Sequence, residues 1–547
     1  MGIPSYYKKL IDTVHNLRGF PTEDINWLFM DFNCLIYHCL YREDTPPYPG
    51  DQHKEEWENQ FINCIVTYCL KVIKQVQPTG GVYIAIDGVV PMAKMRQQRL
   101  RRFKSVWISQ NPTEATDTVN SGLIWDRNSI TPGTVFMGKL RSRLEAMISK
   151  HGKKSWQLSS SDVPGEGEHK IISEWRKKIY TGNFTVYGLD ADLIILSMLG
   201  RECCELDNNI WLFREEVNAG KISYDSVGEE VFEWFSINAL RTWLSSDFRS
   251  DIVKQRAFIM NYCFAMSILG NDFLPSSLGL KIRDDGHSKL LDIITSLTSN
   301  NTTLINPSTL DISYEGILAL FTVLSSEEDN NINKYILKKQ MFARNINQNL
   351  DGVKIKLGDN DWPLSHVEEH ILLDGKQLHS AWKEIYITNF FNGFTYNKNS
   401  INIICKEYLY GIQWIWAYYT GVEHNVCFNW FYPFNLPPLW QWLHDWLTDS
   451  RQLPTFPEIV HIKACDIRPV EQLALVLPIE SWSLIPPCLE RALPQLAPQF
   501  YPSLFSFESV GKRFFWECES LIPLPSILEV KQIIKNMFDK DIKQMGI

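Results

Sequence analysis

Seven carboxylates in five segments of the chain's first half are of a type and spacing that could do chemistry together: Asp31, Asp87, Glu166 with Glu168, Asp190 with Asp192, and Asp272. Cutting a phosphodiester requires a water aimed in line and a leaving oxygen whose charge is absorbed as it departs. Two magnesium ions about 4 Å apart do both, and such ions need several hard oxygen ligands. Any one of these acids alone reads more readily as a helix cap or turn residue. Their combination favours a metal site. The expected cofactor is Mg²⁺, as two ions, with Mn²⁺ able to substitute.

The surrounding elements explain how the acids could meet. Trp27–Asp31 (WLFMD), Val82–Asp87 (VYIAID) and Phe184–Asp190 (FTVYGLD) are apolar runs that each end in Asp, and Trp156–Ser159 is a weaker fourth. Continuous apolar runs alternating with helical stretches predict buried, mainly parallel strands of an α/β sheet flanked by helices. Ligands of such sheets bind beyond the carboxyl ends of the strands, so three aspartates converge by topology. Glu166 and Glu168 lie in Pro164–Lys170 (PGEGEHK), ahead of a helix expected over Ile171–Lys177. Acids in a first helical turn are favoured by the helix dipole. Asp272 follows an apolar helix, in Gly270–Pro275 (GNDFLP).

Directly after Asp87 comes Gly88–Lys104 (GVVPMAKMRQQRLRRFK). Lys94, Gln98, Arg101 and Arg102 fall at i, i+4, i+7 and i+8, which is one face of a helix. Arg offers a planar fork of donors and Lys a point charge, so such a face can grip a phosphate. A solvated basic face or a nuclear localisation signal is the bland alternative. The position beside a strand-end carboxylate favours a phosphate grip next to a metal site.

Length and composition set the outer bounds. At 547 residues, 45% hydrophobic and 21% charged, the chain exceeds one ordinary core. The formal net charge of −9 does not exclude a nucleic-acid partner, because binding answers to local fields. The twelve cysteines form no CxxC pair and no zinc-like set, which fits a reduced intracellular protein with buried thiols. No apolar run reaches transmembrane length, and the start MGIPSYYKKL has neither a signal-peptide core nor, with Tyr6 in place of Ser or Thr, a myristoylation signal. A soluble cytoplasmic protein is expected, with the nucleus as the alternative, and no membrane association.

Three regions are expected: 1–285 as the α/β core with the metal site and phosphate pocket, 286–395 as a helical and loop connection, and 396–547 as an aromatic-rich, mainly helical second region. Loops are predicted at Thr298–Pro307 and Ser325–Asn333 around a helix at Tyr314–Leu324, with Asn345–Ser365 irregular. Further helices are predicted over Ile401–Tyr419 and near Ser526–Phe538.

Several long segments resemble the Xrn family of 5′→3′ exoribonucleases: MGIPSYY, MDFNCLIYH, IDGVVPMAKMRQQRLRRFKS, ITPGTVFMGKLR, SSSDVPGEGEHKI, YGLDADLIIL and LGNDFLP. The second region is similar to the family's in YGIQWIWAYYTGV, NWFYPFNLPP, RPVEQLALVLP and FYPSLFSF…FFWECESLIPLP. The resemblance runs almost end to end and is weakest between about 285 and 395. It implies a core like that of the PIN and flap nucleases, with the seven acids as the catalytic and metal-binding set. It also implies that Lys94, Gln98, Arg101 and Arg102 form the pocket for a 5′-monophosphate, and that the substrate is single-stranded RNA. Trp430 matches the ring that stacks on terminal bases. The family usually carries His six residues after the first acid; here Tyr37 stands there and His38 follows, so either ring is a stacking candidate. The segment near Gly2–Tyr7 would shape a narrow entrance. A catalytic core nearly alone is expected, acting as a monomer with no obligate protein partner.

Two rivals are weaker. A flap endonuclease or DNA exonuclease of the same superfamily anchors duplex through a Gly-x-Gly hairpin after the last acid, whereas Leu278–Ile282 (LGLKI) has one glycine. An inactive RNA-binding scaffold would be expected to have lost at least one of the seven acids.

Overall fold

The computed structural model describes residues 5–110, 124–152, 154–218, 221–349, 363–421, 426–456, 462–487, 489 and 497–544. Its first half is built on a sheet of six strands: β1 (Ile25–Asp31), β2 (Gly81–Ala85), β3 (Trp156–Ser159), β4 (Asn183–Tyr187), β5 (Ile210–Glu215) and β6 (Phe232–Ser236). Their spatial order is β3-β2-β1-β4-β5-β6; β1 to β5 run parallel and β6 antiparallel on β5. The strands are apolar because both faces are covered: Leu28, Phe29, Met30, Val82, Phe184 and Ile210 are fully buried.

The chain leaves β1 towards β2 and β3 on one side, then returns past β1 to β4 and β5 on the other. That reversal opens a crevice at the carboxyl ends of β1 and β4. Registers place Asp31 beside Ala85 and Met30 beside Tyr187. The strands expected at Val82–Asp87 and Phe184–Asp190 therefore end before their acids, and Asp87 and Asp190 stand in the loops just beyond.

Helices cover both faces: α1 (Tyr6–Thr13), α2 (Phe32–Leu40), α3 (Lys54–Val76), α4 (Met92–Gln110), α5 (Val135–His151), α6 (Gly167–Arg176), α7 (Asp192–Cys204), α8 (Ile237–Leu244) and α9 (Ile252–Leu269). Beyond them come α10 (Gly286–Ser299), α11 (Tyr314–Ser326), α12 (Glu328–Asn349), α13 (Trp382–Phe390), α14 (Lys398–Thr420), α15 (Trp440–Ser450), α16 (Pro469–Val476) and α17 (Ile527–Gln544). No helix among the described residues is long and apolar enough to cross a membrane.

Two expectations fail in the connecting region. Ser325–Asn333 is not a loop: α11 runs into α12 with a single residue between them. The Asn-rich surface hides Ile332 and Ile336, both fully buried at helical spacing. Glu328, also buried, accepts the Trp440 and Gln441 N–H groups at 2.7 and 3.0 Å at the start of α15. Likewise α12 continues through Asn349, so the irregular stretch expected from Asn345 is helical up to there, while 350–362 lies outside the described residues.

The second region is not a separate body. One continuous apolar cluster joins Phe29 and Phe184 of the sheet to Trp414 and Tyr418 of α14, across the boundary drawn at 285. A further cluster gathers Met95 and Phe103 of α4 with Leu473 of α16 and Val530 of α17.

Candidate active site

Each acid is delivered by a different local device. Asp31 ends β1 and precedes α2. Asp87 accepts the Gly167 N–H at 2.7 Å and the Asn33 side-chain amide at 2.9 Å, while Asn33 Oδ1 accepts the Asp87 N–H at 3.1 Å. Glu166 is the N-cap residue of α6 and Glu168 sits in its first turn. Between them a Cβ on Gly167 would fall 2.6 Å from Asp31 Oδ1 and 2.9 Å from the Ala85 carbonyl, so only glycine lets α6 start against both strand ends. Asp192 opens α7 just past Asp190. Asp272 lies after α9, on a turn fixed by Asn271 Oδ1, which accepts the Phe273 and Leu274 N–H groups, each at 2.7 Å.

All seven carboxylates share one field. Burial raises Asp31 well above the carboxylate range, helped by Asp87, Asp190 and Glu166. Burial likewise raises Glu168, with Glu166, Asp192 and Asp31 adding to it. Asp87 and Glu166 shift the same way. Asp192 is pushed up to about 7, by burial first and then by Asp272. For Asp272 burial also acts upward, but the Lys94 ammonium outweighs it and holds the carboxyl at about 2. Buried like charges at this density call for a cation. Asp192 Oδ1 is buried with no hydrogen-bond partner among the described residues. A donor set made of carboxylate oxygens fits a hard divalent ion.

Lys94 departs from its expected place. Its Nζ sits 2.6 Å from Glu166 Oε2 and 2.9 Å from Asp272 Oδ2, inside the acid cluster rather than in a separate phosphate pocket. The physical reason is the field just described, which draws in the nearest ammonium. The rest of the predicted basic face divides. Arg101 is exposed, whereas Gln98 and Arg102 are buried. Gln98 Oε1 accepts from Gln472 of α16 at 3.3 Å, and Gln472 in turn accepts the Val90 N–H at 3.1 Å. Arg102 is held near Tyr37 and Asp126, and burial lowers its guanidinium to about 10. Its Nη1 is buried with no partner among the described residues.

The opposite face of α4 fastens the second region, a role its basic residues did not advertise. Arg99 donates to the Leu475 and Pro523 carbonyls at 2.7 and 3.1 Å, and Lys104 to the Cys518 carbonyl at 2.9 Å. From α14, Tyr418 donates to Glu166 Oε1 at 2.7 Å, and its ring lies 3.8 Å from that of His169. His169 groups with Glu166 and Glu168 within ligand distance of one another, and burial holds its imidazole neutral, at about 3. Neither Tyr418 nor His169 was singled out from the sequence. His169 sits in the same PGEGEHK run as the two glutamates.

Two family models match the chain, one described as the XRN 5′-3′ exonuclease N-terminus over residues 1–216 and one as the Xrn1 helical domain over residues 365–539. The chain belongs to the Xrn family. Among curated Xrn relatives, 5′-3′ exoribonuclease 1 of Homo sapiens is 26% identical over 605 residues, covering 98% of this chain and 34% of its own length. The enzyme of that name from Saccharomyces cerevisiae is 24% identical over 683 residues, covering 98% and 43%. The 5′-3′ exoribonuclease 2 of Kluyveromyces lactis is 32% identical over 371 residues, covering 58% and 36%. The chain thus spans less than half the length of these relatives.

Against the Xrn resemblance, two stacking assignments need correction. Trp430 is 3% exposed, with Trp414 at 5.4 Å and Phe456 at 6.3 Å between ring centroids. It is a core ring, and no base can stack on it without repacking. His38 is engaged by other side chains: its Nε2 lies 2.9 Å from Glu230 Oε1 and its ring 4.7 Å from that of Tyr68. Its neighbour Tyr37 is partly buried, packed on the cluster behind the sheet and close to Arg102. Residues 2–4 of the expected entrance segment lie outside the described residues, and Tyr6 beside them is a core residue whose hydroxyl meets that of Tyr262 at 2.8 Å.

Proposed function

We propose that this protein is a 5′→3′ exoribonuclease that removes nucleoside 5′-monophosphates from 5′-monophosphorylated single-stranded RNA with two Mg²⁺ ions. The observation that carries the reading is Arg102 Nη1, buried and unpartnered among the described residues, on the helix that sends Lys94 into the acid cluster. A buried guanidinium with a vacant donor is costly unless an anion completes it. A terminal phosphate is the anion such a planar fork suits.

Asp31, Asp87, Glu166, Glu168, Asp190, Asp192 and Asp272 would hold the ions, whose charge favours ionised water and a departing 3′-oxygen. The chain's own groups do the remainder. Tyr418 fixes the orientation of Glu166 through its hydroxyl hydrogen bond. Lys94 offsets carboxylate charge at Glu166 and Asp272, keeping Asp272 ionised. Arg102 and Gln98 would grip the 5′-phosphate, so that the first bond lies over the acids and a 5′-hydroxyl end lacks its anchor. The matching relatives bear the name 5′-3′ exoribonuclease, which supports the direction and the substrate class.

The test uses three RNAs of one sequence with 5′-monophosphate, 5′-hydroxyl or 5′-triphosphate ends, in Mg²⁺. Digestion confined to the monophosphate is expected. Equal digestion of all three would remove the pocket assignment, and activity surviving in Asp190→Ala and Asp272→Ala would remove the metal assignment.

A further inference from the structure

A groove of about 740 Å³ leads away from the acid cluster, within the size range of ligand sites. Asp272 and Arg101 are among its lining residues. Its walls are the 270–284 segment after α9 and the 511–519 segment of the second region, with α4 alongside. The walls are tied to each other by ion pairs: Arg513 with Asp284 at 2.6 Å, and Arg283 with Glu517 at 3.5 Å.

The acids of the groove are engaged, Asp284 and Glu517 in those pairs, Asp272 with Lys94 and Glu519 with Arg96, and this leaves cations over. Lys281 and Lys512 both line the groove, and neither forms an ion pair with any described residue. Among the described residues, Lys281 Nζ has only the Ser276 hydroxyl, at 2.9 Å, for a hydrogen-bond partner. Burial and then the neighbouring Lys512 bring Lys281 down to about 7 against the pull of Glu517 and Glu369, so a phosphate beside it would favour its charged form. Trp516, half-buried, also lines this groove, with the Arg283 guanidinium 5.6 Å from its ring centre. A positive groove with an aromatic platform is what a single strand needs: cations for its phosphates and a ring for a base.

We propose that this groove holds the substrate strand on the 3′ side of the cleavage point, with Lys281 and Lys512 on backbone phosphates and Trp516 stacking a base. The assignment rests on the proposed exoribonuclease activity. It supplies a stacking ring in the second region at a place where Trp430 is unavailable. Asp272 and Arg101 in its lining connect the track to the acids and to α4.

The test compares kcat/KM on a 5′-monophosphorylated trinucleotide and on a strand of about twelve nucleotides, for wild type, Lys281→Gln, Lys512→Gln and Trp516→Leu, each checked for an unchanged melting profile. The long-to-short ratio is expected to fall about ten-fold in Trp516→Leu, the loss of one stacked base. The two lysine variants are expected to lower the dependence of long-strand binding on salt by a slope of about 0.7 each. Lys512→Gln serves if the more buried Lys281→Gln proves unstable. Variants with an unchanged ratio, or with equal losses on both lengths, overturn the groove assignment. So does weaker inhibition by adenosine 5′-monophosphate at an unchanged ratio, which would put the released nucleotide there instead. A wild-type protein that digests no 5′-phosphorylated RNA overturns the proposed function itself, and is recognised before any variant is compared.

Discussion

The hydroxyl of Tyr418 donates to Glu166 Oε1 at 2.7 Å, joining two residues 252 positions apart. Through this bond α14 of the second region reaches the acid cluster of the first. A charge-assisted hydrogen bond of this kind contributes about 1.5–3 kcal/mol. Tyr418→Phe keeps the ring that lies on His169 and removes only the donor. The expected result is about ten-fold weaker activation by Mg²⁺, with a loss of stability of no more than about 3 kcal/mol. Metal titration of activity, with calorimetric binding of Mn²⁺ alongside, checks it; an unaltered midpoint would refute the positioning role.

Arg102→Met removes a buried charge that has no partner among the described residues, so the fold should be as stable as wild type or more so. Activity on 5′-monophosphate RNA should nevertheless fall on the order of 100-fold, and preference over 5′-hydroxyl RNA should vanish. Denaturant unfolding and the ratio of the two rates measure this opposition. A large loss of stability would mean that Arg102 is structural.

Asp192 gives the metal-free protein a pH signature. Its carboxyl is raised from an ordinary 3.8 to about 7 in the folded protein, so the folded state holds the proton more tightly than the unfolded chain. The associated stability is full below about pH 4 and is lost as pH rises through about 7. Asp272, lowered to about 2, acts oppositely, but its window lies below pH 4. Without divalent ions the melting temperature should therefore drop between pH 5 and pH 8, and Mg²⁺ should restore it most at pH 8. Asp192→Asn should flatten the slope. A metal-free melting temperature that climbs over this range would contradict the arrangement.

Gly167→Ala tests how tightly α6 is seated. The added Cβ would approach Asp31 Oδ1 to 2.6 Å and the Ala85 carbonyl to 2.9 Å. A loss of about 1–3 kcal/mol is expected from such overpacking. Activity should fall further than that loss of stability accounts for, because the displaced atom belongs to an acid of the cluster. Full activity in a stable variant would mean that the helix start is free to shift.

Much of the site was legible because its logic is local. An apolar run that ends in Asp announces a buried strand and a strand-end acid, and parallel topology gathers such ends without any further information. The basic face of α4 was visible by spacing, yet its division was not. Lys94 turns into the acids because six or seven carboxylates meet there, which no single segment reveals. Arg99 and Lys104 look like more of the same charge until Leu475, Pro523 and Cys518 present carbonyls to them. The aromatics were the least legible. Trp430 matches by position and His38 by residue type one place on, but whether a ring faces solvent depends on neighbours such as Trp414, Tyr68 and Glu230, which lie elsewhere in the sequence. Ser325–Asn333 misled for a similar reason, since buried Ile332 and Ile336 were hidden among asparagines.

The fastening of α4 has a consequence for how the protein comes into being. The helix is made first, and its carbonyl partners and Gln472 emerge from the ribosome more than 370 residues later. Until then buried Arg99 has nothing to hold, and Glu166 lacks Tyr418. A nascent chain therefore carries the acids without the frame around them until the stretch through Cys518 has been made. Chains halted on the ribosome near residue 400 should be inert, and activity should appear only once the stretch through Cys518 is free to close over the helix.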